Sequence, residues 1–221
     1  MATLIQYPDG HPESTSCDGA TRVDGDGTDW SSARALSSGT ADSPSDATAG
    51  MGVQQGDTNK WKFRRMFYLF DTSAIGAGAT VTAATLSLVY VNKNDDNTDS
   101  YVVCGPASPA SNTDIDVADF DQLGTTKFSD EITIDNINAD SSTYNVFTLN
   151  AAGIAVVDVS GITKLGMKAV RDIEDDEPTW GDPASSVSNT AMAEETLDPG
   201  DKRPKLTVTY AVAFTPQVLM F

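Results

Sequence analysis

The stretch WKFRRMFYLFDTSAIGAGATVTAATLSLVYV, residues 61–91, decides the fold, and KRPKLTVTY, residues 202–210, answers it far downstream. The first carries Arg64 and Arg65 inside a run of aromatic residues that ends in Phe70-Asp71-Thr72-Ser73. After a short Gly/Ala turn, Val81, Ala83, Thr85, Ser87 and Val89 alternate with Thr82, Ala84, Leu86, Leu88 and Tyr90. Aromatic and β-branched runs broken by Gly and Ser read as long antiparallel strands, whose side chains alternate between two faces. Residues 61–70 and 80–92 are expected as adjacent antiparallel strands, because the 72–79 link is turn-sized, with 204–214 in the same core. No nucleophile, base or ligand cluster interrupts these runs, which points to a scaffold or adhesion module rather than an enzyme.

The rest of the chain fits an all-β, antiparallel β-sandwich with one or two short helices. At 221 residues with 39% hydrophobic side chains, it is long and apolar enough to close a core. Further strands are expected at 2–7, 20–23, 101–105, 144–149 and 163–170, with a strand or turn at 30–36. A surface loop enclosing a short strand is expected at 37–56, and a hairpin tip at 93–100. Val117, Phe120 and Leu123 have helical spacing with Asp114 or Asp116 as cap, and Asn150 caps a second short helix at 151–157. Residues 172–195 read as an acidic loop. One domain, 1–214, of roughly 8–10 strands packed face to face accounts for these segments. The stretch 215–221, TPQVLMF, follows as an apolar tail.

Thirty-two acidic against 14 basic residues give a formal charge of −18. Phosphate backbones need a basic footprint, so neither nucleic acid nor an anionic membrane suits this chain as a partner. The start MATLIQYPDG lacks a basic region followed by an apolar core, and no stretch reaches the ~18 apolar residues of a membrane span. The reading therefore expects assembly in a cytoplasm, without a signal peptide. Cys17 and Cys104 lack metal-type spacing and are expected as buried free thiols, with a disulfide as the alternative.

Residues 61–90 and 204–210 resemble the jelly-roll sandwich modules called DNRLRE-type domains, related to carbohydrate-binding modules of cell-surface proteins. The resemblance rests on Arg64 and Arg65, Phe70-Asp71-Thr72-Ser73, the 79–88 stretch ATVTAATLSL and the final PKLTVTY. The middle segments ADFDQLGTTKF (118–128), FTLNAAG (147–153) and GITKLGMKAVRD (161–172) are similar to stretches of tailed-phage and environmental-virus structural proteins. The resemblance implies a jelly roll and a virion component: a capsid decoration protein, head fibre or tail-associated protein. Its partners would be the major capsid protein or another virion protein, with a homo-oligomer expected. Host-surface glycans are the alternative ligand.

Candidate sites follow from residue type and position. Phe214, Val218, Leu219, Met220 and Phe221 would bury roughly 1.5–3 kcal/mol each against a partner, which makes the tail a candidate anchor. Trp30 and Trp180 lie near loops and are candidate glycan-stacking residues, with Trp61 in the core or at its rim. Asp24, Asp26 and Asp29 stand in a Gly-containing loop where alternate carboxylates can converge on Ca²⁺, although an ordinary Asp/Gly turn has the same composition. Asp95, Asp96 and Asp99, and the acidic run 172–177, read as solvated faces. Arg64 and Arg65 point to opposite faces, one of them toward a carboxylate such as Asp71. The single histidine, His11, has no nucleophile elbow around it.

Overall fold

The computed structural model describes residues 1–25, 29–56, 60–96, 98–180, 183–195 and 202–212. In chain order the strands are β1 (Ala2–Gln6), β2 (Asp18–Asp24), β3 (Ala41–Ser43), β4 (Thr48–Gly56), β5 (Lys60–Asp71), β6 (Ala79–Asp95), β7 (Tyr101–Pro106), β8 (Ile132–Thr133), β9 (Tyr144–Thr148), β10 (Ile162–Ala169), β11 (Ala184–Ala191) and β12 (Lys205–Val212). The α-helices are α1 (Trp30–Arg34), α2 (Ala151–Ala155) and α3 (Val170–Glu174), each of five residues. The architecture is an all-β antiparallel sandwich of jelly-roll type.

Strand β6 belongs to both layers. Its first half lies between β12 and β9, and β1 extends that layer beyond β12, giving the small sheet. Its second half pairs with β11, and the large sheet continues through β4, β5, β10, β7 and β8. Strand β5 carries β2 on one edge, and β4 then β10 along the other. Between the layers, Met66, Tyr68 and Phe70 of β5 pack with Leu86, Leu88 and Tyr90 of β6, and with Phe147, Leu206 and Val208.

This arrangement corrects the expected pairing of 61–70 with 80–92. Among the described residues β5 pairs with β2, β4 and β10, whereas β6 pairs with β9, β11 and β12. The two strands face each other across the core instead of sharing a ladder. The link between them is an arch rather than a hairpin. It contains a 3₁₀ turn, Ser73–Ile75, whose Ile75 enters the core, and Gly76 and Gly78 adopt φ of +86° and +84°. Its Gly76 N–H donates to the Val159 carbonyl at 2.8 Å, which anchors the arch to the loop before β10. Similarly, β7 does not return beside β6; it pairs with β10 and β8.

Strands β4 and β11 and helix α3 were not expected from the sequence as elements of this size. β11, ASSVSNTA, buries Ser186, Ser188 and Thr190 in a sheet interior, so small hydroxyl side chains stand where bulky ones would signal a strand. In β4, Met51 packs in the main core and Val53 in the outer cluster, although residues two apart in a regular strand share a face. Gly52 lies between them with φ +136°, and a β-carbon there would come within 2.2 Å of the Ser186 carbonyl oxygen. Only glycine accommodates both the backbone angle and that approach.

The large sheet is also covered on its outer face. Trp61 and Phe63 pack with Val23, Val53, Trp30, Ala33 and Phe120, while Phe67 and Leu69 pack with Cys17, Ala107, Ile115 and Leu123. Strand β5 is therefore apolar on both faces, which explains its almost unbroken hydrophobic run. Two of the short helical caps are as expected. Asp116 caps the 3₁₀ turn Val117–Asp119, and the Asn150 side chain accepts from Ala152 N and Gly153 N at the start of α2. Cys17 and Cys104 are free and buried, and burial pushes both thiols up to about 12.

Candidate functional site

Polar chemistry concentrates on the outer face of the large sheet, where a strand, a helix and two loops meet. Arg65 projects outward from β5 and donates from Nε and Nη2 to the two oxygens of Asp172 in α3, both at 2.8 Å. Its remaining donors reach the Phe120 carbonyl at 2.7 Å and the Arg34 carbonyl at 3.1 Å, and its guanidinium lies 3.9 Å from the Phe120 ring centre. Asp172 is also approached by Lys168 Nζ at 3.6 Å and by Arg34 Nε at 3.5 Å. Burial, partly offset by Asp172, pulls the Lys168 ammonium from the usual 10.5 to about 8.

The arrangement corrects two expectations. The partner of Arg65 is Asp172 rather than Asp71, whose side chain caps Ser73 N at 3.0 Å. Asp172 itself belongs to a buried knot instead of a solvated acidic face. The knot fastens α1, α3 and the 3₁₀ turn before Phe120 to the sheet, with every polar atom of Arg65 near a fixed partner. A bidentate pair in this setting orients elements strongly, and each of the three guanidinium nitrogens of Arg65 is engaged.

The tryptophans meet beside it. Trp30 and Trp61 are T-shaped with ring centres 4.9 Å apart, and Trp61 and Trp180 are 5.8 Å apart. Trp30 is only 2% exposed, and its Nε1 donates to Asp175 at 2.9 Å, so it is a core residue and not a stacking platform. Trp180 lies half-buried at the rim. The Arg171 guanidinium lies 5.9 Å from its ring centre and is bound to Asp99 and Asp176, each at 2.6 Å. The indole N–H of Trp180 and the Nε of Arg171 are both buried without a hydrogen-bond partner among the described residues.

In the candidate calcium loop the described carboxylates have other partners. Asp24 accepts from Arg22 Nε at 3.0 Å and faces Lys62 Nζ at 3.6 Å. Asp29 caps α1 by accepting from Ser32 N at 2.8 Å, and that bond holds its carboxyl below the ordinary range. Asp26 lies outside the described residues, as do Phe214, Val218, Leu219, Met220 and Phe221. Among the described residues no group of three His, Cys, Asp or Glu side chains converges on a metal position. Asp95 and Asp96 bind β11 instead, through Ser186 Oγ at 2.6 Å and Ser185 N at 2.8 Å.

One polar cluster was missed in the sequence. Where the loop after β1 crosses the loop after β11, Asp18 accepts from Ala193 N at 3.0 Å and Glu194 accepts from His11 N at 3.0 Å. The second oxygen of each carboxyl, Asp18 Oδ1 and Glu194 Oε2, is buried without a hydrogen-bond partner among the described residues. Burial, with Glu194 nearby, pushes Asp18 well above the carboxylate range; burial also raises Glu194. Residues 176 positions apart in sequence give no local signal for such a pairing.

An open groove of ≈580 Å³ lies where β6 leaves the small sheet, lined by Asn92, Lys93, Ile137 and Asp140 among others. Its charged groups serve local turns. Lys93 donates to the carbonyls of Asp135 and Ile137, and Asp140 accepts from Ser142 N and Thr143 N at 2.8 and 2.7 Å. No helix among the described residues is long and apolar enough to cross a membrane. No family model matches the chain, and no curated protein matches it.

Proposed function

We propose that this chain is a non-enzymatic structural protein of a phage virion, a capsid decoration, head-fibre or tail-associated protein held by protein–protein contacts. The observation that carries the reading is the charge map of the small sheet. None of the 32 acidic residues of the chain falls in Ala2–Gln6, residues 79–89, Tyr144–Thr148 or Lys205–Val212. A carboxylate-free sheet on a molecule of net charge −18 is suited to contact with protein, while the acidic loops keep the particle surface solvated. The similarity of 118–128, 147–153 and 161–172 to stretches of phage and virus structural proteins supplies the setting. Mass spectrometry of purified particles tests it: the chain is expected at a fixed ratio to the major capsid protein. Recovery only from the particle-free lysate overturns it.

A second reading, a carbohydrate-binding adhesion module, is favoured by the rim at Trp180. The half-buried indole ring of Trp180 presents an aromatic edge at the surface, against which a sugar ring can pack. Glycan-array binding that is lost in Trp180→Ala would support it; an array with no signal above background rejects it.

A further inference from the structure

The small sheet packs one face against the core and turns the other outward. Its inward side chains are Leu4, Ala84, Leu86, Phe147, Leu206 and Val208. By alternation the outward ones include Thr3, Ile5, Ala83, Thr85, Val146, Thr148, Thr207 and Thr209. The strand registers align them in rows. Ile5 stands opposite Thr207, Thr207 opposite Thr85, and Thr85 opposite Thr148, so one row crosses all four strands. A second row runs Thr3, Thr209, Ala83. The only charge in these strand segments is Lys205, at one corner, whose ammonium lies 4.0 Å from the Tyr144 ring centre. Ile5 is 50% exposed and Val146 51%, so two bulky apolar side chains of this face stand in water.

We infer that this outward face is a self-association surface, and that its occupant is a second copy of this chain packed face to face about a two-fold axis. Three features on the face select that partner. A strongly basic or acidic partner would be recognised by charge, and these strands offer it only the ammonium of Lys205 at one corner. Two copies of net charge −18 repel each other wherever their acidic loops approach, and least where carboxylates are absent. Finally, a threonine hydroxyl both donates and accepts, so rows of threonine are complementary to their own copy, whereas rows of carboxylates or ammoniums are not. Stacked sheets lie ~10 Å apart with strands within ~30° of each other, a spacing that threonine and valine side chains fill.

The face measures roughly four strands by five residues, on the order of 300 Å² per copy at ~4.8 Å between strands and ~3.3 Å per residue. Stable interfaces bury ~800 Å² per partner, so this contact is weak in free solution and strengthens where copies are crowded together. The inference deepens the reading of the small sheet as a protein-contact face by naming its partner.

Sedimentation equilibrium of the purified full chain tests it over roughly 10 µM to 1 mM, the range a small interface spans. The weight-average mass is expected to rise from 23.3 kDa toward twice that value. Thr207→Glu places carboxylates in the central row and should hold the mass at that of one copy, with an unchanged melting temperature. Thr148→Glu on the edge strand should do the same if Thr207→Glu fails to fold. Mixing Thr207→Glu with Thr207→Lys should restore association, because unlike charges then meet across the two-fold. A wild-type chain that stays at one copy throughout, glutamate variants that associate normally, or a mixture that fails to recover would each overturn the inference. Solution dimerisation without particle incorporation would retain this surface and refute the virion reading; incorporation of a chain that never self-associates would do the reverse.

Discussion

The two sheets treat charge in opposite ways. The large sheet is covered on both faces and keeps Arg65, Lys168 and Asp172 inside its outer layer, each 6% exposed or less. The small sheet is covered on one face and shows water threonine, alanine and valine, with no carboxylate. The difference follows from what each face must hold. Loop 107–128 and the short helices α1 and α3 bring apolar side chains such as Ile115, Phe120 and Trp30, and directional bonds fix how these segments sit on the sheet. A bidentate guanidinium–carboxylate pair does this at the expense of desolvation.

The comparison predicts where the molecule breaks. Asp172→Ala leaves Arg65 buried without its carboxylate and should lower stability by about 3–5 kcal/mol, whereas Arg65→Met with Asp172→Leu should recover most of the loss. A melting temperature within a degree of wild type for Asp172→Ala would show that the outer layer is held by packing alone. Gly52→Ala forces a β-carbon toward the Ser186 carbonyl at a positive φ and should cost about 1–3 kcal/mol. A neutral result in chemical denaturation would mean that the β4 kink relaxes freely.

Smaller effects depend on pH. Asp18 is held above its ordinary pKa of 3.8, so the folded state binds a proton that the unfolded state releases. Its contribution is therefore most favourable below that value and is lost as pH rises through it toward the raised value. Asp18→Asn should melt higher than wild type at pH 7 and equally at pH 3.5; an equal gain at both would indicate a packing effect instead. Lys168 behaves oppositely to an ordinary ion-paired lysine. With its folded pKa at about 8 against 10.5, the unfolded state binds more protons between those values, and stability rises with pH across that window. Lys168→Met should flatten that rise, and parallel wild-type and variant curves would contradict it. The smallest effect is expected on the small sheet, where Thr85→Ser and Thr148→Ser should change stability by less than about 0.5 kcal/mol.

Much of the small sheet was legible in the sequence because one face is dry and the other wet. Residues 80–89 and 205–210 therefore alternate cleanly, as antiparallel strands with one solvated face do. The large sheet was harder to read. β5 is apolar on both sides and was legible as a strand but not in its pairing, because the arch at 72–78 and a hairpin turn have similar composition. β4 and β11 are built from Gly, Ser, Thr and Ala whose burial depends on neighbours, and their residues resemble loop. Among candidate sites, Trp180, read as lying near a loop, is half-buried against Trp61, while Trp30 lies in the core because α1 folds it inward against Trp61. The partner of Arg65 stands 107 positions away, beyond the reach of any local pattern.

Because β6 runs for 17 residues, about 56 Å at ~3.3 Å per residue, it has a mechanical consequence. A load applied to the small sheet passes along a single covalent backbone into the large sheet, rather than across side-chain contacts that can slide. To shear one layer from the other, a pulling force must rupture the ladders with β9, β11 and β12 that grip this strand along its length. The molecule should therefore resist traction as one stiff body up to a high rupture force, then yield abruptly.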